Sequence, residues 1–208
     1  MILDFNNLVR KYHLNINGVI HIGAHIGDEY KIYKRHNIHN IMFFEPVPNL
    51  FNRLLINVGK GNAVFHNKAL GNKIGKDIMY LGECADNSGC SSLLEPDIFL
   101  RQYPHIIFQK RIEVDVDKLD NIIYDRNLYN FINIDVQGYE LEVFKGASES
   151  LKHIDYIMSE INKEHLYKNC VLEPELDSFL LSFGFIRVET NWEGRNWGDA
   201  FYISTKNK

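Results

Sequence analysis

Residues 19 to 27 read Val19-Ile20-His21-Ile22-Gly23-Ala24-His25-Ile26-Gly27. The apolar, β-branched run Gly18–Ile22 has the composition of a buried strand, and residues 28–35 continue as a helix. A strand that passes through glycine into a helix is the opening unit of a doubly wound α/β sheet. In such sheets ligands lie beyond the carboxyl ends of the strands, where the strand order reverses. Gly23 and Gly27 let backbone approach a ligand with no Cβ in the way. Their G-x-x-x-G spacing differs from the G-x-G-x-x-G nest that cradles a pyrophosphate. A ligand without phosphate suits this turn, and so does a plain strand-to-helix turn with no ligand.

Downstream, residues 41–44 form a second apolar run that ends in Glu45-Pro46. Glu45 follows Gly23 at about the spacing where an acidic side chain on a second strand end accepts both hydroxyls of a ribose. A carboxylate presents two oxygens to such a diol. Turn and carboxylate together indicate a nucleoside cofactor without saying which one. Leu50, Phe51, Leu54, Leu55 and Val58 mark the next helix, and 63–65 a third strand. Upstream, Phe5, Leu8, Val9 and Tyr12 share one helical face behind Asp4 as N-cap.

Residues 70–104, rich in Gly, Ser and Asn, read as a hairpin followed by a long loop, and long loops in compact domains are often functional. Then come an extended segment (111–116), a helix (118–124), a strand (131–136), a helix (139–151) and a strand (156–161). Pro174 opens a helix with Leu172, Leu176, Phe179, Leu180 and Phe183 on its apolar face. The last two strands, 185–188 and 200–203, have no helix between them. A short connection cannot make a parallel crossover, so one of them runs antiparallel. The expected fold is α/β and Rossmann-like. It has a mostly parallel seven-stranded sheet, one antiparallel strand near the C-terminus and helices on both faces, all in a single domain spanning 1–208.

A third stretch, Asn133-Ile134-Asp135-Val136-Gln137-Gly138-Tyr139-Glu140, runs on through Leu141 to Lys145-Gly146-Ala147. Taken with Gly23-Ala24, Gly27-Asp28 and Phe44-Glu45-Pro46, it resembles the FkbM family of methyltransferases. Ser91-Ser92, Val116-Asp117-Lys118-Leu119-Asp120 and Gly198-Asp199-Ala200-Phe201-Tyr202 match weaker blocks of that family in the same order. The resemblance runs over roughly residues 18 to 203. It implies a class I methyltransferase fold, S-adenosylmethionine as methyl donor, and O-methylation of a hydroxyl on a sugar, glycan or small metabolite. The cofactor contacts expected with it are His21, Gly23, Ala24, Gly27, Glu45, Pro46, Ala69 and Asp135.

Methyl transfer is an in-line displacement, so the protein mainly holds donor and acceptor in a near-attack arrangement. Only the acceptor proton needs handling. Asp135, at the end of a central strand, is expected to take that proton or orient the hydroxyl. The alternative is that it caps the following helix by bonding the Gly138 N–H. Glu160 ends the next strand and is expected at the same rim. Ser91, Ser92, Tyr139 and Trp197 are expected to contact the acceptor. Two residues depart from the family pattern: His21 stands where many relatives have Asp, and Gln137 where many have Glu. They keep open a catalytically inactive binding protein of this fold. A nicotinamide-dependent oxidoreductase is the other alternative, opposed by the missing phosphate nest and by the closing strands.

The composition narrows the partners. Net charge is −4 over 208 residues, and the Lys and Arg residues are scattered among acidic ones, which argues against nucleic acid. No apolar stretch approaches the roughly 18 residues of a membrane span, and Asp4 interrupts any signal-like start. Cys84, Cys90 and Cys170 lack CxxC spacing and read as reduced thiols of a cytoplasmic protein. None of the nine histidines sits in an H-x-x-x-H or H-E-x-x-H context on a helix, so no metal is expected.

Overall fold

A computed structural model of the chain describes residues 1–59, 61–83, 89–194 and 196–207. Cys84 lies outside the described residues. The elements are α1 (Phe5–Tyr12), β1 (Gly18–Ile22), α2 (Tyr30–Arg35), β2 (Asn40–Phe44), α3 (Pro48–Val58), β3 (Val64–His66), β4 (Ala69–Leu70) and β5 (Gly75–Glu83). They continue as α4 (Ile98–Gln102), β6 (Ile107–Asp117), α5 (Leu119–Ile122), β7 (Phe131–Ile134), α6 (Glu140–Lys145), β8 (Tyr156–Asn162), α7 (Glu173–Ser182), β9 (Phe185–Glu193) and β10 (Trp197–Ser204).

Seven strands form one sheet in the order β3-β2-β1-β7-β8-β10-β9. β1 pairs in parallel with β2 on one side and β7 on the other, and β10 runs antiparallel to both β8 and β9. This is the expected class I arrangement with one reversed strand. The chain builds outward from β1 to β3, then returns to lay β7 on the other side of β1, which puts the switch point between β1 and β7.

β1 is buried along its whole length, so successive side chains feed different layers. Ile20 and Ile22 join Phe144, Leu176 and Leu180 on the face covered by α6 and α7. Val19 joins Phe5, Leu8, Tyr33 and Leu54 on the face covered by α1, α2 and α3. Asp4 starts α1 as expected, its carboxylate accepting from Asn6 N–H at 2.8 Å and Asn7 N–H at 3.3 Å.

The segment 70–104 differs from its expected form. β5 pairs with β6, which lies beyond that segment, and β4 adds in parallel to make a second, three-stranded sheet. The strand partner of β5 thus comes after a long connection that carries α4, and a Tyr80–Ser92 bridge ties that connection back. Two other elements end early. β7 stops at Ile134 because Gln137 (φ 56°) and Gly138 (φ 93°) turn the chain left-handed. α6 stops at Lys145, where Gly146 passes so close to the Gly71 carbonyl that a Cβ would lie 2.0 Å from it.

That close approach docks α6 against the entry to the second sheet. Gly146→Ala is expected to cost about 1–3 kcal/mol, the range for overpacking. Urea denaturation checks this through a lower midpoint at unchanged slope.

Candidate functional site

The carboxyl ends of β1, β2 and β7 open into a cavity of about 200 Å³. Its lining has two characters. Val47, Leu50, Leu70, Met79, Leu93 and the ring of Tyr139 are apolar, with Leu70 and Met79 supplied by the second sheet. His21, His25, Asp28, Glu29, Glu45 and Asp135 are polar or charged. Of the residues expected from the sequence, His21, Gly23, Ala24, Glu45, Pro46, Ala69, Asp135, Ser91 and Tyr139 all line it.

Glu45 is 4% exposed and stands just past β2. Its Oε2 accepts the His25 N–H at 2.9 Å and its Oε1 accepts the Val47 N–H at 2.8 Å. Each oxygen keeps lone-pair capacity for a further donor. Burial raises the carboxyl from 4.5 to about 7, against the two N–H bonds, which lower it. Gly23, with φ 78°, sits where a Cβ would lie 1.9 Å from the Asp135 carbonyl. The glycine is needed for the crossing of the two strand ends as well as for the cavity.

Asp135 follows β7, and its N–H bonds the Ile22 carbonyl at 3.0 Å. In the alternative reading Asp135 would cap the following helix through the Gly138 N–H, but that N–H bonds a different residue. Glu140 Oε1 accepts both Val136 N–H and Gly138 N–H at 3.1 Å. Burial raises Glu140 to about 7. Asp135 is thereby left to the cavity, with Oδ1 accepting from Gln137 Nε2 at 2.7 Å.

Glu160 is placed behind that contact. It is 3% exposed, does not line the cavity, and receives the other N–H of the same Gln137 amide at 2.7 Å. Burial, and then Asp135, hold its carboxyl well above the usual range. The Gln137 amide therefore joins two acids, and the Tyr167 hydroxyl stands 3.0 Å from its Oε1. Neither Gln137 nor Tyr167 was among the expected site residues. The signal for Gln137 was the Gly138 beside it, a mark of a tight turn right after a strand.

The remaining expected residues fall outside the wall. Gly27 (φ 78°) packs under α3, where a Cβ would lie 2.5 Å from Leu54 Cδ1. Ser92 is 1% exposed and turned inward, its hydroxyl donating to the Gln137 carbonyl at 2.8 Å. Trp197 donates from Nε1 to the Tyr103 hydroxyl at 3.1 Å within a separate apolar cluster. His21, which does line the cavity, is 2% exposed and belongs to β1. Its ring lies between Tyr33 and Asn133, and burial lowers its pKa, so it is neutral near pH 7. No group of three or more His, Cys, Asp or Glu side chains among the described residues is placed to hold a metal ion.

The Methyltransferase FkbM domain model matches residues 21–187. No curated protein matches the chain at a significant level. Among solved structures, the chain is similar to the N-methyltransferase NodS from Bradyrhizobium japonicum WM9, in complex with S-adenosylhomocysteine. The TM-score is 0.53 at 10% identity, over 97% of this chain and 85% of that one. It is also similar to the 1,6-didemethyltoxoflavin-N1-methyltransferase of Burkholderia thailandensis, at TM-score 0.52 and 11% identity, over 97% and 76% of the two chains. At such identities the likeness is one of fold.

The raised carboxyl at position 45 has a measurable sign. Between its usual 4.5 and about 7 the folded chain binds the proton more tightly than the unfolded chain, so stability falls as pH rises through that window. The shift corresponds to roughly 3 kcal/mol at 1.36 kcal/mol per unit. Glu45→Gln is expected to flatten the fall between pH 4.5 and 7, as read by denaturation at stepped pH. Glu140 and Asp199, raised to about 7 and about 6, keep the remainder.

Proposed function

The chain belongs to the FkbM methyltransferase family, and on that premise we propose that it is an S-adenosylmethionine-dependent O-methyltransferase. The proposed acceptor is a hydroxyl of a sugar, glycan or small metabolite, and the whole chain works as one domain. The observation that carries this reading is Glu45, buried at the end of β2 with one further acceptor direction on each oxygen. A buried carboxylate in that position matches a ribose diol. The wall beside it is apolar enough for an adenine, with Val47, Leu50, Met79 and Tyr139 as its surfaces.

The charge of the cavity separates this donor from a nicotinamide. Asp28, Glu29, Glu45 and Asp135 line the cavity together with Met1 and with Lys68, which is already paired with Asp117 at 3.0 Å. Such a wall favours a sulfonium and an ammonium and opposes a pyrophosphate. When bound, the donor supplies a methyl group activated on positively charged sulfur. The protein supplies position and a proton acceptor. Ile22 holds the backbone of Asp135, Gln137 fixes Oδ1, and Oδ2 stays available to an acceptor hydroxyl. A hydroxyl needs such a base more than an amine does, which supports oxygen as the atom methylated. Glu160 is a partner of this arrangement through Gln137. The neutral His21 leaves that end of the cavity without the acid many relatives carry.

No helix among the described residues is long and apolar enough to cross a membrane. Cys170 is a buried thiol, in keeping with a reducing, cytoplasmic setting.

Labelled S-adenosylmethionine offered with a panel of sugars and hydroxylated small molecules tests the activity, and no methyl transfer to any of them would favour a binding protein. With an accepted substrate, Asp135→Asn is expected to keep donor affinity within about fivefold and lower kcat by about 10²–10⁴. Unchanged kcat would reject the base. Donor binding is also expected to release protons near pH 7, because ribose hydroxyls favour the ionised Glu45. Calorimetry at pH 6.5 in buffers of different ionisation enthalpy reads that release, which should vanish by pH 9 and in Glu45→Gln.

A further inference from the structure

Gln137 presents both N–H groups of its amide to acids, one to Asp135 Oδ1 and one to Glu160 Oε2, at 2.7 Å each. A half turn of the amide exchanges its oxygen and nitrogen in nearly the same space, so packing alone does not choose between the two orientations. The reversed orientation would set the Gln137 carbonyl against Asp135. Glu160 does not oppose it, because burial holds that carboxyl well above its usual range and a protonated acid can donate to the amide oxygen. The orientation that serves an ionised Asp135 therefore needs a donor on its far side.

Tyr167 stands there. It is 1% exposed, and its hydroxyl lies 3.0 Å from Gln137 Oε1 and 2.8 Å from the Cys90 carbonyl. Burial holds the phenol well above its usual range, so it keeps its proton and acts as a donor. The ring has little freedom. Its backbone bridges Pro96, and it packs on Phe99 with ring centroids 5.3 Å apart, inside the apolar cluster that also holds Leu166 and Tyr103. Tyr167 is absent from the cavity lining and reaches the cavity through what it bonds. One of its acceptors follows β7, and the other precedes Ser91 in the connection between β5 and β6.

We propose that Tyr167 is a positioning residue that donates its hydroxyl to Gln137 Oε1 and so keeps the Gln137 amide turned with an N–H on Asp135. The proposal rests on the reading of Asp135 as the proton acceptor and deepens it. A hydrogen bond donated to a carboxylate favours its ionised form, the only form that can take a proton from an acceptor hydroxyl.

Isotope labelling of the glutamine side-chain amides, read by NMR, reports on this bond without any ligand. Gln102 and Gln109 are exposed and serve as internal references. The Gln137 protons are expected downfield of theirs and protected from exchange, and Tyr167→Phe is expected to move them toward the exposed pair. Tyr103→Phe, which removes another hydroxyl from the same apolar cluster, is expected to leave them in place. An unmoved Gln137 signal in folded Tyr167→Phe, or an equal shift in Tyr103→Phe, would overturn the proposal. If Tyr167→Phe does not fold by circular dichroism, the hydroxyl proton of Tyr167 is followed instead in Gln137→Met. It is expected to move upfield once Oε1 is gone, and a signal that stays in place assigns the proton to Cys90 and overturns the proposal. With an acceptor from the panel above, Tyr167→Phe is expected to lower kcat about tenfold at neutral pH, to keep donor KM within about twofold, and to move the acid limb of the kcat profile up by about one pH unit. An acid limb that stays in place overturns the proposal as well. Failure of the underlying reading shows differently, as unchanged kcat in Asp135→Asn.

Discussion

Two backbone N–H groups, from His25 and Val47, converge on the carboxylate of Glu45. One belongs to the turn after β1 and the other leads into α3, so a single side chain ties two strand ends together at the rim of the sheet. The Gly23 and Ala24 N–H groups reinforce the join by bonding the Phe44 carbonyl at 3.0 and 2.9 Å. The turn that carries His25, Asp28 and Glu29 is held in place from this point. Burying a carboxyl so deeply works against its charge, which is why it titrates near neutrality. Rigidity at the rim and a proton-sensitive carboxyl in the cavity wall are therefore one and the same feature.

On the far side of β1, a second carboxylate plays the corresponding part. Glu140 reaches back over its own helix start to bond Val136 and Gly138 N–H groups, which shapes the left-handed pair Gln137-Gly138. Ser92 closes the turn from outside by donating to the Gln137 carbonyl. With its backbone held by these bonds, Gln137 has a fixed side chain, and its amide separates Asp135 from Glu160 with one N–H for each. An amide in that place is neutral and cannot itself ionise. Each of the two acids thereby has its own donor from the same amide.

The architecture was legible in the sequence wherever burial imposes a period. Fully buried strands such as β1 and β7, and the closing pair without a helix between them, announce themselves through apolar runs and spacing. The places of Glu45 and Asp135 in the cavity wall were legible because both directly follow buried strands whose carboxyl ends open there. Three things were not. The pairing of β5 with β6 depends on a long connection, and no local pattern encodes a partner that distant. Gly27, Ser92 and Trp197 have the residue types of a binding site, but their neighbours (Leu54, Gln137 and Tyr103) lie far off in the chain. The cap on the Val136–Gly138 turn went to Glu140 rather than Asp135 because a longer side chain can fold back over the helix start.

The cavity is walled by two sheets with different obligations. The large sheet contributes the strand ends whose positions are locked by its own register. The smaller one, β4-β6-β5, contributes Ala69, Leu70 and Met79, and packs Val114 and Val116 against Val47 and Leu50 from the neighbouring strand end and helix and Leu93 from its own connection. Its long connection between β5 and β6 carries Ser91 and Leu93 to the same opening. A change of length or sequence in that connection would alter what reaches the mouth of the cavity while leaving every hydrogen bond among β1, β2 and β7 in place. The mouth of the cavity can therefore be reshaped at one border without re-pairing the strands that hold its floor.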